Sequence, residues 1–253
     1  MKGKVAIITG ASSGIGRACS AVFAEHGATV VAVGRNEAAL EELRDATRDF
    51  EGSVKPHLAD VTESSQVDRL LSETVQQFGQ IDVLVNSAGI LKPGNIENTT
   101  LDDWDKMMNV NVRSLLSLMQ SCIPHLEKTK GNVVNISSVA GLRSFPNVLA
   151  YCVSKAAVDQ LTRCSALELA SKGIRVNAVN PGVVVTNIHK RGGMSDGEYA
   201  KFLEHSKNTH PIGRPGEPEE VAELVYFLAS ENAQWLTGVT YSIDGGRALT
   251  CAR

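Results

Sequence analysis

The sequence predicts an α/β protein built on a doubly wound parallel sheet of about seven strands with helices on both faces. Three observations carry that prediction. Short apolar runs alternate with longer segments of helical period along the whole chain. The first run passes through a glycine turn straight into a helical segment, the strand–turn–helix order of parallel sheets. No composition break, Pro/Ser-rich linker or repeat divides the 253 residues, so residues 1–253 are expected to form one domain.

The elements follow in order. Val5-Ala6-Ile7-Ile8 is apolar on both faces, as a buried strand requires. Thr9-Gly10-Ala11-Ser12-Ser13-Gly14-Ile15-Gly16 then turns into a helix from about Arg17 to His26. Such a turn gathers backbone N–H groups and a helix N-terminus at one point, which suits a phosphate. Thr29 to Val33 is the second strand, and its end selects between dinucleotides. A carboxylate there would bind the ribose 2′-OH of NAD. Here the strand ends Gly34-Arg35-Asn36, with no acid. The Arg35 guanidinium suits the 2′-phosphate of NADP, or else is a surface arginine of the loop.

Glu37 to Phe50 reads as an amphipathic helix with Leu40 and Leu43 inward, and Val54 to Leu58 as the third strand. Asp60-Val61 closes that strand; Asp60 either accepts from an adenine amino group or caps the helix Ser64 to Phe78. Asp82 to Val85 is the fourth strand, and a long helix from Leu101 to Leu126 carries an unexpected interior amide, Asn111. Val133 to Ile136 is the fifth strand and leads to Ser137-Ser138. In the helix from Tyr151 to Ser171, Lys155, Asp159 and Arg163 form one charged stripe, while most of the remaining surface is apolar or small. One apolar face can pack on the sheet and the other on a second subunit. Ile174 to Val179 is the sixth strand, Glu217 begins a helix to about Leu228 with Pro218 in its first turn, and Val239 to Ile243 is the last strand. Between them, the polar segment from about 186 to 211 reads as a lid or substrate loop.

Tyr151 and Lys155 lie one turn apart on one helix face. An ammonium beside a phenol favours the phenolate, so the tyrosine could exchange protons near neutrality. Ser138 could donate to the same substrate oxygen.

Taken together, Thr9-Gly10-x-x-x-Gly14-x-Gly16, Asp60-Val61, Asn86-x-Ala88-Gly89, Asn111, Ser138, Tyr151-x-x-x-Lys155, Pro181-Gly182 with Thr186, and Asp244-Gly245-Gly246 resemble the short-chain dehydrogenases/reductases over nearly the whole chain. The likeness is greatest to 3-oxoacyl-carrier-protein reductases and related carbonyl reductases. The resemblance implies a Rossmann fold and an NADP(H)-dependent oxidoreductase acting on a small carbonyl or secondary alcohol, possibly a 3-oxoacyl thioester. It implies catalytic roles for Tyr151 as acid or base, Lys155 as its electrostatic partner and ribose ligand, Ser138 as carbonyl donor, and Asn111 as holder of a proton-path water. It places Gly10, Ser13, Gly14 and Ile15, with Ser12 and Gly16 of the same turn, around the phosphates and adenosine ribose. Arg35, Asn36, Asp60, Val61, Asn86, Ala88, Gly89, Pro181, Gly182, Val184 and Thr186 complete the cofactor set. Ser87 departs from the family, which usually has a second Asn there. The family habit is a homotetramer. Use of NAD by an alcohol or hydroxysteroid dehydrogenase, and a dinucleotide sensor without chemistry, are the alternatives.

The bulk numbers narrow the partners. Net charge is −3 with no block of like charge, which argues against nucleic acid or an anionic membrane surface. No apolar run approaches a membrane span, and the chain enters a strand at once, so no leader and a cytoplasmic location are expected. Five cysteines, at 19, 122, 152, 164 and 251, without C-x-x-C, read as reduced thiols, and no metal is expected. Lys128, Lys130 and Lys172 are either a patch that receives a carrier protein or, the plainer account, solvated surface lysines.

Overall fold

The computed structural model describes residues 1–250. Seven strands form one sheet: β1 (Val5–Thr9), β2 (Thr29–Gly34), β3 (Ser53–Leu58), β4 (Val83–Asn86), β5 (Asn132–Ile136), β6 (Arg175–Pro181) and β7 (Thr240–Ile243). Their spatial order is β3-β2-β1-β4-β5-β6-β7, and every adjacent pair is parallel. The order reverses between β1 and β4, so the loops leaving them diverge and open a crevice at the carboxyl ends of the strands. Pro56 lies in β3, an edge strand, where its missing N–H breaks no second ladder.

Alternation along the strands builds two cores. Ala6 and Ile8 of β1 face one side, where α1 (Gly14–Glu25), α2 (Glu37–Ala46) and α10 (Pro218–Ala229) supply Phe23, Leu40, Leu43, Val221 and Val225. Val5 and Ile7 face the other, covered by α3 (Ser64–Phe78), α5 (Ser114–Thr129) and α7 (Leu149–Leu169) through Leu70, Leu118, Met119, Val158 and Ala166. Burial of such side chains contributes roughly 1.5–3 kcal/mol each.

Several expected elements differ in detail. The helix expected over Glu37 to Phe50 ends at Ala46, with Thr47 as its C-cap, the Thr47 N–H donating to the Leu43 and Arg44 carbonyls at 3.1 and 3.3 Å. The helix from Leu101 is interrupted: α4 (Leu101–Met108) and α5 are joined by a π turn, Asn109–Arg113. α7 begins at Leu149, which places Tyr151 in its first turn. Segment 186–211 folds as α8 (Ile188–Arg191) and α9 (Asp196–Thr209), the latter started by a Ser195–Glu198 capping box. The charged stripe of α7 is not a solvated face: Lys155 and Asp159 are buried, and only Arg163 is exposed. The exposed side of α7 carries Val153, Ala156, Cys164 and Leu167 together with Gln160, Arg163 and Glu168. Lys130 and Lys172 lie where β5 and β6 begin, at the sheet edge opposite the crevice. Lys130 bonds the Lys172 carbonyl at 3.1 Å and Lys172 pairs with Glu127 at 2.8 Å. No described helix is long and apolar enough to cross a membrane.

Candidate active site

The crevice is assembled from the ends of β1, β4, β5 and β6. Gly10 has φ +68°, and a Cβ there would lie 2.9 Å from the Ser87 carbonyl carbon and oxygen, so the β1 and β4 loops meet only at a glycine. The Thr9 hydroxyl accepts from the N–H groups of Ser87 and Ala88 at 3.0 and 3.1 Å and so fixes the β4 loop by its backbone. The departure at Ser87 therefore leaves these contacts intact, since they use no Ser87 side chain.

The glycine turn fits a dinucleotide phosphate. Ser13 is the N-cap of α1 in extended conformation, and among the described residues its side chain makes no capping bond. The first N–H groups of the helix thus lack a side-chain acceptor at its positive end. Gly14, at φ +55°, faces Thr186, where a Cβ would lie 3.0 Å from the Thr186 methyl. Ser12 lies under Gly34 at the end of β2.

Other cofactor candidates are placed less simply. Arg35 is exposed and pairs with Asp60 at 3.3 Å. Asp60 also accepts from Thr62 N–H and hydroxyl at 3.0 and 2.7 Å, an Asx turn and not a cap of α3. Burial raises its pKa, but the Thr62 and Arg35 bonds outweigh that and leave it lowered. Asn36 is occupied as N-cap of α2, accepting from Ala39 N–H at 3.1 Å. The Asn86 side chain is drawn into the sheet, donating to Asn135 at 2.9 Å, and its Oδ1 is buried with no partner among the described residues. Val61 and Ile15 pack against the two cores. Val184 is buried, and the backbone after Pro181-Gly182 is held by two residues that sequence reasoning missed. The Tyr199 hydroxyl takes Thr186 N–H at 3.1 Å and donates to its carbonyl at 2.8 Å. His210 accepts from Val183 N–H at 3.1 Å through Nε2 and donates from Nδ1 to the Ser206 carbonyl at 2.8 Å. Both reside on or next to α9, whose polar sequence gave no sign of which side chains point inward.

The catalytic candidates converge. Ser138 is the N-cap of α6 (Val139–Leu142) and accepts from Ala140 N–H at 3.1 Å, which leaves its proton to donate. Lys155 Nζ donates to the Ile136 carbonyl at 2.8 Å and lies 5.6 Å from the Tyr151 ring centroid. A Cβ on Gly89 would lie 3.4 Å from Asn111 Oδ1 and 3.7 Å from Lys155 Nζ, in ordinary contact, which places Gly89 between the two side chains. The π turn carries Asn111 inward. Its Oδ1 accepts from Ile90 N–H at 2.8 Å, and its Nδ2 donates to the Ile90 carbonyl at 2.9 Å and to Ser154 Oγ at 3.0 Å. Asn111 is thus a clamp on the β4 loop beside Lys155. Burial pushes the Tyr151 phenol up to about 12, against the Ser138 hydroxyl, which lowers it. Burial pulls the Lys155 ammonium down to about 8, against Asp159, which raises it. The ammonium therefore does not bring the phenol to neutrality in this state.

With that geometry in view, the similar proteins decide the family. The family model described as enoyl-(acyl carrier protein) reductase matches residues 10–248. The chain belongs to the short-chain dehydrogenases/reductases. It is 39% identical over 250 residues to 3-oxoacyl-[acyl-carrier-protein] reductase FabG of Thermotoga maritima, covering 98% of this chain and 99% of that one. A cofactor-bound crystal structure of a short-chain dehydrogenase/reductase of unknown function from Caenorhabditis elegans is similar at a TM-score of 0.92 and 37% identity, covering 99% and 97%. The 3-ketoacyl-(acyl-carrier-protein) reductase of Brucella melitensis complexed with NADH is similar at 0.89 and 32%, covering 98% and 99%. As a member, the protein is an oxidoreductase that uses a nicotinamide dinucleotide on the carbonyl or alcohol group of a small molecule. Among the described residues no group of three His, Cys, Asp or Glu is placed to hold a metal.

Proposed function

We propose that the protein is an NADP(H)-preferring carbonyl reductase whose substrates include 3-oxoacyl thioesters. The observation that carries this reading is the convergence of a free Ser138 hydroxyl proton, the Tyr151 phenol and the Lys155 ammonium at the mouth of the crevice. When bound, the dinucleotide supplies the hydride. The chain supplies the rest. Ser138 donates to the substrate oxygen as negative charge grows there. Tyr151 delivers the proton to that oxygen, and in oxidation removes it. Lys155 places positive charge behind the phenol and holds the nicotinamide ribose. Asn111 keeps the β4 loop open beside Lys155, where a water can carry the proton onward. The α1 N-terminus with Gly10, Ser13, Gly14 and Ile15 holds the phosphates, Thr186 the nicotinamide end, and 186–211 acts as the lid of a single domain.

NADP(H) preference rests on Gly34 in place of an acid and on Arg35 beside it. The Arg35–Asp60 pair favours a second reading, an NAD(H)-dependent alcohol dehydrogenase in which the guanidinium stays with its own carboxylate. The exposed Val153, Ala156, Cys164 and Leu167 side of α7 suits pairing with a second copy, within a homotetramer. Light scattering at micromolar concentration should find an oligomer; a 27.0 kDa monomer rules this out.

The functional reading is tested with a panel of 3-oxoacyl and enoyl thioesters, diketones and steroids. Tyr151→Phe should lower kcat by a thousandfold or so while dinucleotide binding persists, because it removes a proton donor and no binding group. Near-wild-type turnover in the variant overturns the assignment.

A further inference from the structure

One turn beyond Lys155 on α7, a second polar cluster is closed off from solvent. Asp159, Asn180 and Ser137 are 1%, 0% and 3% exposed. They come from three elements: α7, β6 and the end of β5. Asn180 Nδ2 donates to the Ser138 carbonyl at 2.9 Å and lies 3.0 Å from each Asp159 oxygen. Ser137 Oγ donates to the Lys155 carbonyl at 3.1 Å. The Asn180 amide oxygen is buried with no partner among the described residues.

That orphan oxygen is informative. The NH2 group faces three oxygens and nothing else. Turning the amide over would set its oxygen against a carbonyl and a carboxylate. The arrangement accepts one unsatisfied acceptor in order to aim two donors at Ser138 and Asp159. Burial raises the Asp159 pKa and outweighs its neighbours; the Ser137 and Asn180 side chains and the charges of Arg163 and Lys155 act the other way, in favour of the ionised carboxylate. Gly141 makes room for the carboxyl, since a Cβ there would collide with Asp159 Oδ2.

The charges around the pair are few. Lys155 lies one turn before Asp159 and the exposed Arg163 one turn after it, on the same helix. From β6 and the end of β5 only the neutral Asn180 and Ser137 face the carboxyl. Around Lys155, the other elements contribute the Ile136 carbonyl, Gly89 and the Asn111 amide, all neutral. Asp159 is therefore the one anion that opposes the loss of charge on a buried lysine.

We propose that Asp159 is a positioning residue of the reaction, a buried carboxylate that keeps Lys155 charged and, through Asn180, fixes the backbone of Ser138. The assignment rests on the functional reading above, because it acts through Ser138 and Lys155.

The test is a titration of the protein without substrate. With lysines labelled at Cε, the Lys155 signal is identified by its loss in Lys155→Arg. In wild type it should titrate near about 8. In Asp159→Asn, which keeps the volume and removes the charge, the midpoint should fall by roughly half to one unit. The alkaline limb of kcat/KM for carbonyl reduction should move the same way, and dinucleotide affinity should not change. A structural role alone would lower thermal stability and leave both midpoints where they are; that result overturns the proposal. If Asp159→Asn does not fold, Asn180→Ser removes the donor, lets the carboxyl take up a proton and should move Lys155 in the same direction by less. An unmoved Lys155 midpoint in that folded variant overturns the proposal equally. Lack of turnover across the substrate panel, with the titration shift present, would count against the functional reading and not against the coupling of Asp159 to Lys155.

Discussion

Cofactor choice offers the sharpest quantitative check. Gly34→Asp/Arg35→Ala installs the missing carboxylate and removes the guanidinium. The substitution at Gly34 is sterically accessible. A Cβ there would lie 3.2 Å from Ser12 Oγ and 3.3 Å from Ser12 Cβ, a side chain that can shift by a few tenths of an ångström. To bind a 2′-phosphate, Arg35 must leave Asp60. That pair spans 3.3 Å with the arginine side chain 71% exposed, so giving it up costs at most about 1 kcal/mol. A charge-assisted arginine–phosphate contact returns roughly 1.5–3 kcal/mol. With the full cost deducted, the net preference for NADP(H) is about 0.5–2 kcal/mol, or roughly two- to thirtyfold. Here the structure lowers the range that the sequence alone suggests, because Arg35 is already engaged. The assay is kcat/KM for both dinucleotides in wild type and double variant with one carbonyl substrate. The wild type should favour NADP(H), and the variant should lose or reverse that ratio. A wild type that favours NAD(H), or a ratio unchanged by the double substitution, refutes the reasoning and leaves Arg35 as a loop residue tied to Asp60.

Two further outcomes follow from side chains that hold the site's backbone. Asn111→Ala strips partners from the Ile90 N–H and carbonyl and from Ser154, so thermal or denaturant unfolding should show a loss of about 2–4 kcal/mol; a loss under about 0.5 kcal/mol would show that the clamp is replaceable. Burial holds His210 below the ordinary histidine pKa of 6.5, in the neutral form that accepts from Val183 N–H. Its stabilisation is complete above the unfolded value and is lost as pH falls through about 6.5 towards the folded value. Melting temperature should therefore drop on acidification below about pH 6.5, and less steeply in His210→Gln; His57, His125 and His189 are shifted the same way, so an equal slope in the variant would exclude His210 as a contributor.

What the sequence disclosed was what local chemistry determines. Apolar runs such as Val5 to Ile8, short, rich in β-branched residues and closed by a glycine turn, read as strands buried on both faces, and the turn itself needs no partner to be recognised. Pro218 and the acids after it mark the start of α10 for the same reason. The residues that misled were those whose role is decided by a distant element. Lys155 and Asp159 share a helix stripe with Arg163, and nothing in the spacing tells that two face Ile136 and Asn180 and one faces water. Asn86 and Asn36 sit in motif positions, yet one is claimed by Asn135 across the sheet and the other by the first turn of α2. Asn111 was visible as an anomaly, but only the π turn explains how a mid-helix amide reaches the loop after β4. His210 and Tyr199 left no trace because a polar helix reads alike whichever face packs inward.

The protonation state of the crevice follows from burial as much as from neighbours. Burial acts on Tyr151 and Lys155 alike by disfavouring whichever form is charged, so it raises the phenol to about 12 and lowers the ammonium to about 8. The two shifts leave a neutral phenol and a charged lysine at neutral pH. With its nitrogen committed to the Ile136 carbonyl, Lys155 adds to the field behind the phenol without touching it. For carbonyl reduction this is the useful state. A growing alkoxide is a stronger base than even a raised phenolate, so under the proposed mechanism Tyr151 would still give up its proton to it, with Ser138 as a second donor. Alcohol oxidation needs the phenolate, which burial of Tyr151 disfavours. Oxidation requires added positive charge near Tyr151, and Lys155 can contribute only while it stays protonated. A lysine whose ammonium is lost near pH 8 has little margin for that task. This narrow margin gives a buried carboxylate one turn away its leverage over the reaction.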